Sequence, residues 1–79
     1  MDNFYTTEEV SLHNTENDIW IIINHNVYDI TDFINQHPGG KSILLSFAGQ
    51  DVTDYFEELH QPDILIEVAD QFKIGSILQ

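Results

Sequence analysis

Two histidines are spaced in a way that suits binding a metal between them. His37 opens the tetrapeptide His37-Pro38-Gly39-Gly40, and His60 follows after two predicted helices. Pro38 fixes φ directly after His37, and the two glycines let the backbone approach a flat ligand that a Cβ would keep away. With apolar helix faces between them, the two histidines present one imidazole to each side of a planar metal macrocycle. Bis-histidine ligation of haem meets these requirements.

The same residues also have a purely structural interpretation, in which the tetrapeptide is only a turn. Zinc is disfavoured because a structural zinc site needs three or four ligands at short spacings, and the four histidines lie far apart in the sequence. The absence of cysteine excludes a disulfide, a thiolate metal site and a thioether-attached haem. The spacing of the histidines alone therefore leaves both interpretations open, a simple turn or a site for haem held without a covalent bond.

Composition limits the classes of function that remain. The 79 residues carry a net charge of -12, from 14 acidic and 2 basic side chains. Such a chain is repelled by nucleic acid and by anionic lipid, so a basic protein partner is expected. An apolar content of 42% argues against disorder, and the length predicts a single domain over residues 1–79 with a small core of its own. A bound ligand would supplement that core.

The first part of the chain has a strand pattern after one short helix. Thr6 and Glu9 have capping-box spacing, which predicts a helix to about His13. We expect a polar turn over residues 14–18, then β-branched and aromatic strands over 19–23 and 27–30. Residues 24–26 tolerate the positive φ of a tight hairpin. This part is predicted to be an antiparallel pair.

The middle of the chain has helical spacing. Thr31-Asp32 supplies an N-cap, and a helix from Lys41 to Gly49 would bury one apolar face. Asp51 or Thr53 would cap a second helix and Asp63 a third, before a last strand over 73–77. The apolar faces expected for these helices are Ile43, Leu44, Phe47 and Ala48; Val52, Phe56 and Leu59; and Ile64, Leu65, Val68, Ala69 and Phe72. The predicted fold class is α+β.

Residues along nearly the whole chain resemble, in order, those of the cytochrome b5 haem-binding domain. They are Tyr5-Thr6 with Glu8-Glu9-Val10 and His13; Trp20; Val27-Tyr28-Asp29-Ile30-Thr31 with Phe33; His37-Pro38-Gly39-Gly40; Ala48-Gly49 with Asp51 and Thr53; Phe56; and Phe72 with Ile74-Gly75. The resemblance implies a small mixed sheet and helix pairs that form a haem pocket. It also implies an electron carrier rather than an enzyme.

The resemblance assigns residues to the cofactor. His37 and His60 are the implied axial ligands of b-type haem. The implied pocket residues are Ile23, Ile30, Phe33, Pro38, Gly39, Ile43, Leu44, Phe56, Leu59, Val68 and Phe72. Trp20, Tyr28 and Ile74 are expected in a second core, and a purely structural role for Ile23 and Ile30 remains open.

The sequence departs from the family pattern around His60. Leu59 stands where a glycine usually precedes the second histidine, one residue fewer separates the ligands, and Gln61-Pro62 replaces a small polar residue. The local backbone should differ accordingly. Phe47 replaces a residue that is usually polar, so its ring is expected either to pack against the core or to be exposed to solvent.

A run of acidic residues has two interpretations. Asp51, Asp54, Glu57, Glu58 and Asp63 form either a solvated helix face or a ring at the haem edge that attracts a basic redox partner. The implied partners are a cytochrome b5 reductase-like donor and an acceptor that is cytochrome c-like, a desaturase or a hydroxylase. The negative field should also stabilise ferric haem and lower its potential.

Two other functions remain in view. One is a haem module cut from a larger oxidoreductase, such as a desaturase or nitrate reductase. The other is a small-ligand or steroid-binding module of the related membrane-associated type, which lacks both the tetrapeptide and the histidine pair. We expect a soluble, cytoplasmic monomer without a membrane span, either naturally free of the family's C-terminal anchor or with that anchor removed.

Overall fold

The largest element of the fold is a five-stranded mixed sheet. The computed structural model describes residues 3–33, 41–55 and 71–78, and only the backbone of Lys41, Ile43 and Leu44. The strands are β1 (Phe4–Tyr5), β2 (Asn14–Thr15), β3 (Asp18–Ile23), β4 (Asn26–Asp29) and β5 (Lys73–Ile77), and the helices with full bounds are α1 (Thr7–Ser11) and α2 (Lys41–Ser46). Residues 53–55 and 71 are also helical. The predicted α+β class is confirmed.

The strand order is β1-β5-β4-β3-β2. β1 and β5 are parallel, with Phe4 opposite Ser76, and the other neighbours are antiparallel. β5 has the predicted bounds. β1 was not predicted, because two residues carry no periodicity and their partner strand lies at the other end of the sequence.

Strand alternation divides the described apolar side chains between two clusters. The first core cluster is Ile19, Ile21, Ile23, Tyr28, Ile30, Phe33, Ala48 and Val52. The second core cluster is Val10, Ile22 and Val27, with Tyr5, Trp20, Ile74 and Ile77 half-buried against it. Successive β3 side chains point to opposite faces, which sends Ile21 and Ile22 to different clusters.

Tyr28 corrects one prediction. It lies in the first core cluster, not with Trp20 and Ile74 in the second. The register places Tyr28 directly opposite Ile21, and opposite residues of paired strands share a face of the sheet. Val27, one position earlier, takes the place in the second cluster that we had expected for Tyr28.

The polar turn predicted over residues 14–18 is also wrong. Asn14 and Thr15 form β2 and pair with Ile19 and Asp18, which leaves residues 16–17 as the turn. Pairing with the exposed edge of β3 satisfies backbone groups that a longer loop would leave to water, and this outweighs the low strand propensity of asparagine.

The end of α1 explains how β2 is aligned. The predicted capping box is confirmed, with the Glu9 amide donating to Thr6 Oγ1 at 3.0 Å. The helix ends at Ser11, earlier than expected, because His13 turns to β3 instead. Its carbonyl accepts from the Trp20 amide at 3.0 Å, its ring stacks on Trp20, and its Nδ1 lies 2.8 Å from the Asp18 carboxylate.

Two tight turns use positive φ. Asn24 and His25, at φ 51° and 68°, join β3 to β4 in the conformation predicted for this hairpin. Gly49, at φ 77°, follows α2 as predicted, and a Cβ there would lie 3.0 Å from the Ser11 carbonyl oxygen. Glycine adopts the positive φ without strain and has no Cβ to contact Ser11, so any other residue would destabilise this turn.

Candidate cofactor site

An apolar wall lies on the first-cluster face of β3. Ile23, Ile30 and Phe33 are 2%, 0% and 3% exposed, and all three belong to the first core cluster. Phe72, half-buried, meets Phe33 edge to face with ring centroids 5.4 Å apart. The fold therefore brings together four residues that were predicted to contact the cofactor, although they come from three separate parts of the sequence.

The segment around α2 adds further apolar side chains next to this wall. Leu45, Phe47 and Tyr55 pack half-buried against the first core cluster, and the rings of Phe47 and Tyr55 lie 4.5 Å apart. Phe47 therefore packs rather than being exposed. Leu45 and Tyr55 were not predicted to take part in the site. Leu45 lies three residues before Ala48 and Tyr55 three residues after Val52, and this spacing places two residues on the same face of a helix.

A hydrogen-bond network joins the start of β3 to the chain that leaves β4. The Thr31 hydroxyl donates to Asp29 Oδ1 at 2.6 Å and accepts from the Ile19 amide at 3.0 Å. The Thr31 amide donates to the same Asp29 oxygen at 3.1 Å. We call these groups the Thr31 network. The helical turn that Thr31-Asp32 is predicted to cap continues outside the described residues, so that N-cap stays a prediction.

A second network of the same form joins the end of β3 to the helical residues 53–55. The Thr53 hydroxyl donates to Asp51 Oδ1 at 2.6 Å and accepts from the Asn24 amide at 2.9 Å. The Thr53 amide donates to Asp51 Oδ1 at 3.0 Å, which confirms Asp51 as a capping group. We call these groups the Thr53 network.

Backbone hydrogen bonds hold the same segment along β3. The Ile22 amide donates to the Gln50 carbonyl at 3.0 Å, and the Val52 amide donates to the Ile22 carbonyl at 2.8 Å. The Gly49 amide donates to the Trp20 carbonyl. β3 is thus paired with β2 near its start and with residues 49–52 near its end.

Two of the five predicted partner-binding acids are described. Asp51 and Asp54 are exposed, and with Asn24, His25 and Thr53 they line a shallow surface depression of about 390 Å³. Glu57, Glu58 and Asp63 lie outside the described residues. One oxygen of Asp51 is already engaged by the Thr53 network.

Most of the remaining predicted site residues also lie outside the described residues. These are the two axial candidates His37 and His60, together with Pro38, Gly39, Phe56, Leu59 and Val68. The predicted third helix lies there too, apart from its last residues. Ile43 and Leu44 are in α2, which begins at Lys41 as predicted.

The described wall has the chemistry that a haem requires. Every predicted pocket residue with a described side chain is apolar, and among the buried residues that the structure describes only Tyr28 carries a polar side-chain group, its hydroxyl. A porphyrin face packs well against such a surface, since it leaves no polar group of the wall without a partner. The chain has four histidines to bind the haem iron. It has no cysteine, and its only methionine is Met1, so sulfur ligands offer little competition.

Comparison with known proteins decides the family. The model of the cytochrome b5-like heme/steroid binding domain matches residues 6–78. This chain belongs to the cytochrome b5 family. Cytochrome b5 of Drosophila melanogaster is 39% identical over 75 residues, covering 95% of this chain and 56% of the fly protein. The solved structure of cytochrome b5 of Ostreococcus tauri virus 2 has a TM-score of 0.82 and 40% identity, covering 94% of this chain and 95% of that one.

Membership confirms the cofactor and the fold expected from the sequence. Cytochrome b5 domains bind b-type haem and carry electrons. The chain spans about half the length of the curated cytochromes b5 it matches. It also matches L-lactate dehydrogenase (cytochrome) of Wickerhamomyces anomalus, at 47% identity over 60 residues that make up 10% of that enzyme. Of the helices that the structure describes, none has the length and apolar character to cross a membrane.

Proposed function

We propose that this cytochrome b5 domain carries single electrons between a reductase and an acceptor protein, with His37 and His60 as the two axial ligands of its haem. The observation that carries this proposal is the convergence of Ile23, Ile30, Phe33 and Phe72 on one apolar wall. His37 follows Phe33 closely in the sequence, and His60 follows the helical residues 53–55 that the Thr53 network joins to β3.

The roles of the residues follow from their chemistry. The apolar wall would bind the porphyrin and exclude water, and His37 and His60 would hold the iron. When bound, the haem iron takes up and releases one electron. If both histidines bind the iron, it would have no open position for oxygen or a substrate, which favours a carrier over an enzyme.

The axial assignment is tested by single substitutions. H37A and H60A should each lose the sharp visible bands of six-coordinate, low-spin haem, because one imidazole is removed from the iron. The matched control is H25A, which removes an exposed imidazole on the β3–β4 turn and should keep those bands. Visible spectra of the oxidised and reduced proteins provide the measurement. Unchanged bands in either ligand variant would overturn the assignment.

A second candidate function is that of a haem module within a larger oxidoreductase. The match to L-lactate dehydrogenase (cytochrome), in which a domain of this kind is a small part of the chain, favours it. The electrophoretic mass of the protein in its native source separates the two candidates. A mass near 9.1 kDa supports the free carrier, and a much larger one supports the module.

For the partner, we propose a protein with a basic surface. Asp51 and Asp54 are exposed on one side of the first core cluster, and the whole chain has only Lys41 and Lys73 to offset 14 acidic residues. Opposite charge steers two proteins together and orients them for electron transfer.

A further inference from the structure

The Thr31 and Thr53 networks repeat one arrangement at the two ends of β3. In each, an aspartate two residues before the threonine accepts from both its amide and its hydroxyl. In each, the threonine hydroxyl then accepts from a backbone amide at one end of the strand, that of Ile19 or of Asn24. The sequence pattern Asp-x-Thr occurs at both places.

The location of the two networks connects them to the site. Thr31 begins the segment that leads through Phe33 to His37, and Thr53 begins the segment that leads to His60. Between the two network contacts, β3 presents Ile19, Ile21 and Ile23 to the first core cluster. β3 therefore contributes to the apolar wall, and the two attachment points lie near its start, at Ile19, and directly after its end, at Asn24.

We propose that Thr31 and Thr53 are positioning residues that fix the segments carrying the two axial histidines to opposite ends of β3. The inference rests on the proposed axial ligands. A hydroxyl that donates to a carboxylate has its lone pairs directed by that bond, so each aspartate orients its threonine to receive one particular amide. With the first residues of both segments attached to β3, less of the chain has to be ordered when haem binds, which lowers the ordering cost of binding.

The two networks differ in exposure, and this predicts unequal effects. Ile19 is completely buried, and Asp29 and Thr31 are half-buried, whereas Asn24 and Asp51 are exposed. A buried amide that loses its acceptor is left without a hydrogen bond, whereas an exposed amide can donate to water instead. Loss of the Thr31 network should therefore release haem faster than loss of the Thr53 network.

Valine substitutions test the inference, because valine keeps the shape of threonine and lacks the hydroxyl. T31V and T53V remove the two contacts, and T31S and T53S restore an oxygen at each position. The matched control is T6V. Thr6 also uses its hydroxyl between a carboxylate, Glu9, and an amide, but it lies at α1, on the side of the second core cluster.

The measurement is the rate at which holoprotein loses haem to an excess of a haem-scavenging apoprotein. We expect T31V to lose haem about tenfold faster than the wild type, and T53V to lose it faster by a smaller factor. The serine variants should lose haem within about twofold of the wild-type rate, and T6V should lose it at the wild-type rate. The low-temperature EPR spectrum of oxidised T31V and T53V should also shift, since its g values depend on the relative orientation of the two imidazole rings.

Each outcome decides the matter. Equal haem loss and equal EPR spectra for T31V, T53V and T6V would show that the networks only stabilise the fold, and would overturn the inference while leaving the proposed function standing. A wild-type chain without a low-spin haem spectrum would refute the proposed function and this inference with it. If T31V does not fold, T53V carries the test, because its network is exposed.

Discussion

Tyr28 shows at the scale of one residue how the sheet sets side-chain chemistry. Its ring is 3% exposed, in the first core cluster opposite Ile21. Burial raises the pKa of Tyr28 above its usual 10.0, and a hydrogen bond with Asn26 opposes part of this effect. The folded protein therefore holds the hydroxyl neutral at a pH where the unfolded chain would ionise.

This shift predicts a loss of stability at high pH. The contribution of neutral Tyr28 is complete below the unfolded pKa near 10 and is lost as the pH rises through the raised folded pKa. We expect the free energy of unfolding to fall less steeply above about pH 10 in Y28F than in the wild type. Urea denaturation of both proteins at several pH values measures the difference, and identical slopes would contradict the assignment of this effect to Tyr28.

At the scale of elements, the β3–β4 hairpin depends on two strained residues. Asn24 and His25 both have positive φ, a conformation that asparagine tolerates better than histidine. The His25 carbonyl also accepts from the Ile77 amide at 2.8 Å, which joins the turn to β5. This backbone contact does not depend on the side chain of His25.

Glycine at the second turn position should therefore stabilise the protein. H25G relieves the steric cost of positive φ and keeps the carbonyl contact, so we expect a gain of about 0.5 to 1 kcal/mol. N26G, one residue later in β4, is the control and should lose stability, because glycine is unfavourable inside a strand. Urea midpoints give both values. A lower midpoint for H25G would mean that contacts of the imidazole outweigh the backbone strain.

Local elements were predictable where the pattern alone determines them. The isoleucines of β3, the Asn24-His25 turn and the capping box of α1 are all fixed within a few neighbouring residues, and all three predictions are confirmed. β1 and β2 were not predicted, because each exists only by pairing with another strand.

In the candidate site, too, features set by neighbouring residues were predicted, and features set by distant contacts were not. The resemblance gave Ile23 a place in the pocket and left a purely structural role open, and the residue is buried in the first core cluster. The resemblance itself is confirmed by the family match. The face occupied by Tyr28 depended on the register with Ile21, which the sequence of β4 does not specify. The amide contacts of Thr31 and Thr53 likewise join residues distant in sequence, so local reasoning assigned these hydroxyls only to helix capping.

At the scale of the whole molecule, the charge of -12 predicts salt-sensitive electron transfer. Transfer to a basic redox protein should slow about tenfold between roughly 10 mM and 200 mM salt, as screening shortens the reach of the acidic surface. D54N should slow the low-salt rate, whereas E8Q, at the exposed start of α1, should leave it unchanged. Stopped-flow kinetics measure these rates, and rates independent of salt would contradict the proposed basic partner.

The parallel pairing of β1 with β5 has a consequence for folding during synthesis. Phe4 meets Ser76 and Tyr5 meets Ile77, and β5 is also the strand that covers the open edge of β4. On a ribosome, the hairpin of β3 and β4 can form early, but its unpaired edge must wait until β5 has emerged from the exit tunnel. Contacts of such high sequence separation are slow to close. Until then the nascent chain exposes the edge of β4. A chaperone or a second chain can bind that edge during this interval.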